Sequence, residues 1–134
     1  MKKILFATAA AALAMTGTAA TAETAQERGE ARLAKMLEGR EAGEPQSCIN
    51  TFRSNELRVI EKVGVVYDSG KTIYVARAHN PESLGNWDVP VFKRWGSQLC
   101  KQDQIHTIDR SSGFFSGVVL LDDFVPYTRV AEEG

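Results

Sequence analysis

Side chains that ligate metals or carry redox chemistry are scarce. His79 and His106 are the two histidines, and Cys48 and Cys100 the two cysteines. A structural zinc site gathers about four such ligands at short spacings, and neither histidine has further ligands at metal spacing beside it. No metal site and no cofactor is therefore expected. A Cys-x-x-Cys pair is also lacking, which removes the usual redox motif. No Gly-x-Ser-x-Gly elbow raises a serine above a sheet. Ser111 or Ser112 could be combined with His106 and Asp109, but along a strand His106 and Asp109 point to opposite faces. The acidic pairs Glu56/Glu61, Asp122/Asp123 and Glu132/Glu133 read as solvated surface, whereas a glycosidase holds two carboxyl groups roughly 5–10 Å apart across a cleft. The expectation is a protein that is not an enzyme, with a small hydrolase centred on His106 as the catalytic alternative.

An excess of one charge is lacking as well. The chain carries 16 basic and 17 acidic side chains, interspersed, for a formal charge of −1. That balance gives no electrostatic footprint for nucleic acid. Long apolar runs are confined to the first residues. Met1-Lys2-Lys3 opens the chain, Ile4-Leu5-Phe6 and an alanine-rich stretch follow, and small residues lead to Ala20-Thr21-Ala22. A positive start, a short apolar segment and a small-residue cleavage site make a secretory signal, with cleavage expected after Ala22. The segment is too short to cross roughly 30 Å of hydrocarbon as a helix. The mature chain is thus expected to lack a transmembrane segment and to reside in the periplasm or outside the cell.

What remains, residues 23–134, suits one compact core. Both cysteines lie in it, and an oxidising compartment favours their pairing. A Cys48–Cys100 disulfide is expected, closing a loop of about 53 residues, which in the chain-entropy model stabilises by roughly 4 kcal/mol.

Thr24-Ala-Gln-Glu27 is a capping box, and Leu33, Met36 and Leu37 follow at helical spacing. A helix is expected over 25–38, stopped by Gly39 and Gly43, with Gly29 weakening its first turns. Residues 23–46 then form a helix and linker ahead of a β domain at 47–134. Strands are expected near 47–52, 57–67, 72–77, 90–95, 104–110 and 116–121, because β-branched and aromatic residues alternate there with turn signals. Asp68-Ser69-Gly70-Lys71 and Arg110-Ser111-Ser112-Gly113 supply hairpin turns, and Gly64 marks a bulge or bend within the second run. The fold class is α+β: an N-terminal helix with a five- to six-stranded antiparallel meander, or a small barrel-like sheet.

Aromatics are concentrated in the second half. Phe114 and Phe115 adjoin a turn, where two neighbouring rings cannot both point inward. With Trp87 on the 78–89 connection they form the expected binding surface. His79 is read as a solvated loop residue and His106 as a residue on a polar strand face.

The stretches Gly43-Glu44-Pro45-Gln46-Ser47-Cys48-Ile49, Gly96-Ser97-Gln98-Leu99-Cys100 and Asp109-Arg110-Ser111-Ser112-Gly113, with Asp123-Phe124-Val125-Pro126-Tyr127, resemble segments of a family of small exported bacterial proteins of no known activity. The resemblance implies export and the cysteine pair. A fainter similarity, in size, disulfide and β-rich fold, is to small periplasmic inhibitors of lysozyme, whose Ser-Gly turn is loosely matched by Ser112-Gly113 and Ser116-Gly117. The expected role is a non-catalytic envelope module binding a protein or glycan, with inhibition of a cell-wall-degrading enzyme as the alternative.

Overall fold

The structure, a computed structural model, describes residues 21–52, 57–94 and 96–130. The expected leader up to residue 20 lies outside the described residues, as do Glu56, Trp95, Glu132 and Glu133. Among the described residues, one α-helix, α1 (Ala25–Met36), precedes ten strands: β1 (Arg40–Ala42), β2 (Cys48–Asn50), β3 (Leu57–Ile60), β4 (Gly64–Asp68), β5 (Thr72–Arg77), β6 (Asp88–Phe92), β7 (Gln98–Cys100), β8 (Ile105–Asp109), β9 (Phe115–Val119) and β10 (Val125–Arg129).

The capping box starts α1. The Glu27 amide donates to Thr24 Oγ1 at 3.1 Å, and the Thr24 amide donates to Glu27 Oε2 at 2.8 Å, satisfying donors that the first turn otherwise leaves free. Leu33 anchors the helix, and with Met36 and Leu37 it packs on Ile60, Val63, Val66, Ile73 and Val75. Gly29 does more than weaken the first turns. It is buried, and a Cβ there would lie 2.5 Å from the Glu61 carbonyl oxygen and 2.8 Å from Val63 Cγ2. The helix sits close to the sheet because this residue has no side chain. On the exposed flank, Arg77 grips the Glu30 carboxylate with two bonds of 2.5 and 3.1 Å, and that hydrogen bonding raises the guanidinium's pKa.

The strands form a five-stranded sheet in the order β1-β10-β5-β4-β3, a three-stranded sheet β6-β8-β9 and a two-stranded sheet β2-β7. All pairings are antiparallel. Ten strands exceed the expected five or six, and the sheets do not close into a barrel. The run expected as one strand over 57–67 is a hairpin, β3 and β4, turning at residues 61–63. Lys62 adopts the left-handed conformation there (φ 59°), a position that turn-forming residues usually mark. Gly64 opens β4 and is not a bulge: a Cβ on it would come within 2.2 Å of the Ala76 carbonyl oxygen across the β4–β5 ladder. The aromatic segment after Asp122-Asp123 is itself a strand, β10, wedged between β1 and β5. The two hairpin turns are where the sequence signals put them, with Gly70 and Gly113 at positive φ.

The layers follow from burial. α1 covers one face of the five-stranded sheet. The opposite face presents Val65, Tyr67 and Ala76 to a core shared with Ile49 and Leu99 of β2-β7, with Ile105 and Val119 of β8 and β9, and with Leu84, Leu121 and Phe124. The Cys48–Cys100 disulfide joins β2 to β7 at one end of this core. The three-stranded sheet is thereby the outermost layer on that side, with one face on the core and the other turned away.

Candidate recognition face

Register decides what that turned-away face carries. Ile105, Thr107 and Asp109 alternate with His106 and Ile108 along β8. Ile105 and Thr107 are fully buried, so His106 and Ile108 point outward. Pairing aligns Val91 with His106 and Val89 with Ile108 on one side, and Val118 with His106 and Phe115 with Ile108 on the other. The His106 and Phe115 rings meet edge to face at 5.7 Å, as two side chains on one face should. The pairing continues one step past Asp88–Asp109, where the Arg110 amide donates to the Trp87 carbonyl at 2.8 Å. Trp87 and Arg110 therefore extend the outward row. At the opposite end, Lys93 and Leu120 prolong β6 and β9 in the same alternation.

The result is a sheet with two apolar faces, one of them uncovered. Trp87 is 63% exposed, Phe115 64%, Leu120 55% and Val91 37%, and Phe114 at the hairpin tip is 76% exposed. Trp87 and Phe115, singled out from sequence, thus lie on the outward rows at one end of β6-β8-β9, with Phe114 at the adjoining hairpin tip. Val91, Arg110 and Leu120 were missed. Only part of the signal was local: Val89 and Val91 share one parity of β6, but their alignment with His106 and Ile108 of β8 and with Val118 of β9 depends on the register. His106 likewise lies on an apolar face and not on the polar one expected. Thr107 holds an inward position, where the Ser116 hydroxyl donates to Asp88 Oδ1 at 2.8 Å and accepts from the Thr107 hydroxyl at 2.9 Å. That long-range polar contact cannot be inferred from alternation.

The hairpin tip is tied together by one side chain. Asp109 Oδ1 accepts from the Ser111 amide and hydroxyl at 2.9 and 2.6 Å and from the Ser112 amide and hydroxyl at 2.8 and 3.1 Å. Four donors on one oxygen favour the charged form, and the carboxyl falls to about 2, with the Ser111 hydroxyl as the largest cause. The same turn leaves the serine hydroxyls occupied by Asp109, while the His106 ring lies 3.4 Å from Gln104 Oε1. The serine, histidine and aspartate that a hydrolase would combine are not joined into one hydrogen-bonded unit.

A second concavity, an open groove of ≈ 580 Å³, lies between Pro45, Leu120 and Val125. His79 is an exposed loop residue, as expected, and pairs with Asp122 across the groove wall, while Lys101 Nζ stands 2.8 Å from Asp123 Oδ1. All four side chains are about half exposed, where ion pairs contribute little. Among the described residues no group of three or more His, Cys, Asp or Glu converges as a metal site, and no helix is long and apolar enough to cross a membrane.

Comparison with known proteins finds no matching family model, no matching curated protein and no matching solved structure.

Proposed function

We propose that the chain is an exported, non-catalytic binding module of the bacterial envelope, and that the outward face of β6-β8-β9 is its recognition surface. The observation that carries this reading is that Trp87, Phe114 and Phe115, each more than 60% exposed, lie at the turn end of β6-β8-β9, where Asp109 ties the hairpin. Large rings held rigidly at a surface supply contact area at little entropic cost, which is why aromatic side chains dominate binding hot spots. Export is supported by the leader pattern and fits the disulfide, since such bonds persist in oxidising compartments. The test compares the oxidised protein with its Trp87→Ala/Phe114→Ala/Phe115→Ala variant for retention on native envelope fractions. Loss of at least tenfold in retention, with an unchanged melting temperature, is expected. Equal retention refutes the assignment.

A second reading, inhibition of a cell-wall-degrading enzyme, is favoured by one feature. Ser112 and Gly113 occupy the exposed tip of the β8–β9 hairpin beside Phe114, where a protruding loop could enter a cleft. Ser116 does not qualify, being bonded to Asp88 and Thr107. A lysozyme inhibition assay with the oxidised protein decides this reading directly.

A further inference from the structure

The outer edges of two sheets leave a pocket between them. β3 ends the five-stranded sheet and β6 the three-stranded one, and Val59 and Pro90 of these strands line a cavity of ≈ 330 Å³. That volume falls at the small end of ligand sites, which run from about 300 to 1,000 Å³. Arg110, on the pocket wall, donates its amide to the Trp87 carbonyl, so the pocket adjoins the Trp87 end of the recognition face.

The rest of the lining is polar and mixed in charge. Arg32 of α1, Glu61, Asn86, Asp88 and Arg110 supply two guanidiniums, two carboxylates and a carboxamide. Donors and acceptors stand side by side, and the formal charges cancel. The ion pairs of the described residues lie elsewhere, at Arg77–Glu30, His79–Asp122 and Lys101–Asp123, so none of them engages Arg32, Glu61 or Arg110. Asp88 is held in place. Its Oδ2 accepts from the Gly85 amide at 3.0 Å and its Oδ1 from the Ser116 hydroxyl at 2.8 Å, and each oxygen keeps a further lone pair for a ligand.

We propose that this pocket binds a neutral saccharide unit of an envelope glycan, a proposal that rests on the recognition reading above and names its ligand. Sugar hydroxyls both donate and accept, so a ring placed among carboxylates and guanidiniums satisfies both kinds of group at once. The balanced charge gives no net attraction for a phosphate or a polyamine. A pyranose also carries a face of C–H groups, and the exposed Trp87 ring next to the pocket offers a flat apolar partner for the following unit of the chain. An extended peptide fits less well. By the alternation that the Arg110–Trp87 bond sets, β6 turns the backbone of Asp88, Pro90 and Phe92 away from β8. A strand added there needs outward amides, but Pro90 has none and the Asp88 amide is bonded to the Gly85 carbonyl at 3.1 Å.

The probes are two neutral tetramers, of N-acetylglucosamine and of glucose. They are compared with the deacetylated, cationic counterpart of the first, with an anionic galacturonate tetramer and with capped tetra-alanine. Binding is followed by amide shifts of the oxidised protein and by the indole N–H signal of Trp87. At least one neutral tetramer is expected to bind at least tenfold more tightly than the charged tetramers and the peptide, with shifts centred on residues 59–61, 85–90 and 110. The variants Arg32→Gln/Arg110→Gln and Glu61→Gln, each checked for an unchanged melting temperature, are expected to weaken it about tenfold. Absent binding of both neutral tetramers overturns the proposal. So does equal or tighter binding of a charged tetramer or of tetra-alanine, and so does an affinity that neither variant changes. If no saccharide binds while the triple alanine variant still loses envelope retention, the saccharide is wrong and the recognition face stands. If the alanine variant is retained like the parent, both fall.

Discussion

Cys48 and Cys100 face each other across the β2–β7 ladder with their Cα atoms 4.0 Å apart, and the Lys101 amide donates to the Ser47 carbonyl at 2.8 Å beside them. The flanking bond marks them as a non-hydrogen-bonded pair, the position where side chains on neighbouring antiparallel strands approach most closely. The two strands are only three residues each, so the covalent link, spanning 52 residues of sequence, does much of the work of holding them. Replacing both cysteines by alanine should lower stability by about 4 kcal/mol if loop entropy dominates. Denaturant unfolding measures this. A loss below about 1 kcal/mol would mean that the β2–β7 pairing stands on its own contacts.

Two glycines allow a sharper test, because helix propensity and packing predict opposite signs. Gly29→Ala should gain about 1 kcal/mol in an exposed helix. Here the added methyl would meet the Glu61 carbonyl oxygen at 2.5 Å, so the helix must lift from the sheet. A net loss of about 1–3 kcal/mol is expected, the usual range for overpacking. Gly64→Ala, blocked by backbone at 2.2 Å, should lose at least as much. A stabilised Gly29→Ala protein would show that α1 docks less closely than described.

Local signals were legible in the sequence wherever the chain's chemistry was local. The Thr24–Glu27 box, Gly70 and Gly113 each specify their own geometry within four residues. The β3–β4 turn was not legible, because Lys62 takes a left-handed conformation that its side chain does not advertise and that the surrounding ladder imposes. β1 and β7 escaped because three residues are too few to show a period, and β2, equally short, was legible only within the longer 47–52 run. The recognition aromatics were legible as exposed rings beside a turn. Their continuation into an apolar face was hidden, since it depends on the register of β6, β8 and β9, which no local signal specifies.

Core and face should separate cleanly on substitution. Phe124 is fully buried in the core shared by the three sheets, and Phe124→Ala is expected to cost about 3–5 kcal/mol. Trp87→Ala and Phe114→Ala remove rings that are mostly solvated and should stay within about 0.5 kcal/mol of the parent. Thermal or denaturant unfolding of the three variants checks the contrast. A large loss for Phe114→Ala would make that ring part of the fold and remove it from the recognition surface.

Acid should loosen the hairpin tip in a narrow window. The Asp109 carboxyl ordinarily titrates near 3.8 and is lowered to about 2 in the folded chain, first by the Ser111 hydroxyl and then by the Ser112 amide and hydroxyl. A carboxyl lowered on folding binds its proton more readily when unfolded. Its contribution is therefore complete above about pH 4 and disappears as pH falls toward 2. Protonation weakens acceptance from all four donors at once, and the turn that presents Phe114 should open. The Ser111 and Ser112 amide signals should titrate with a midpoint near 2 in the parent, and in Asp109→Asn that titration should be absent. A midpoint near 4 in the parent would mean that the four bonds do not hold the carboxylate in solution, and the rigidity on which the recognition face depends would have to come from elsewhere in β8 and β9.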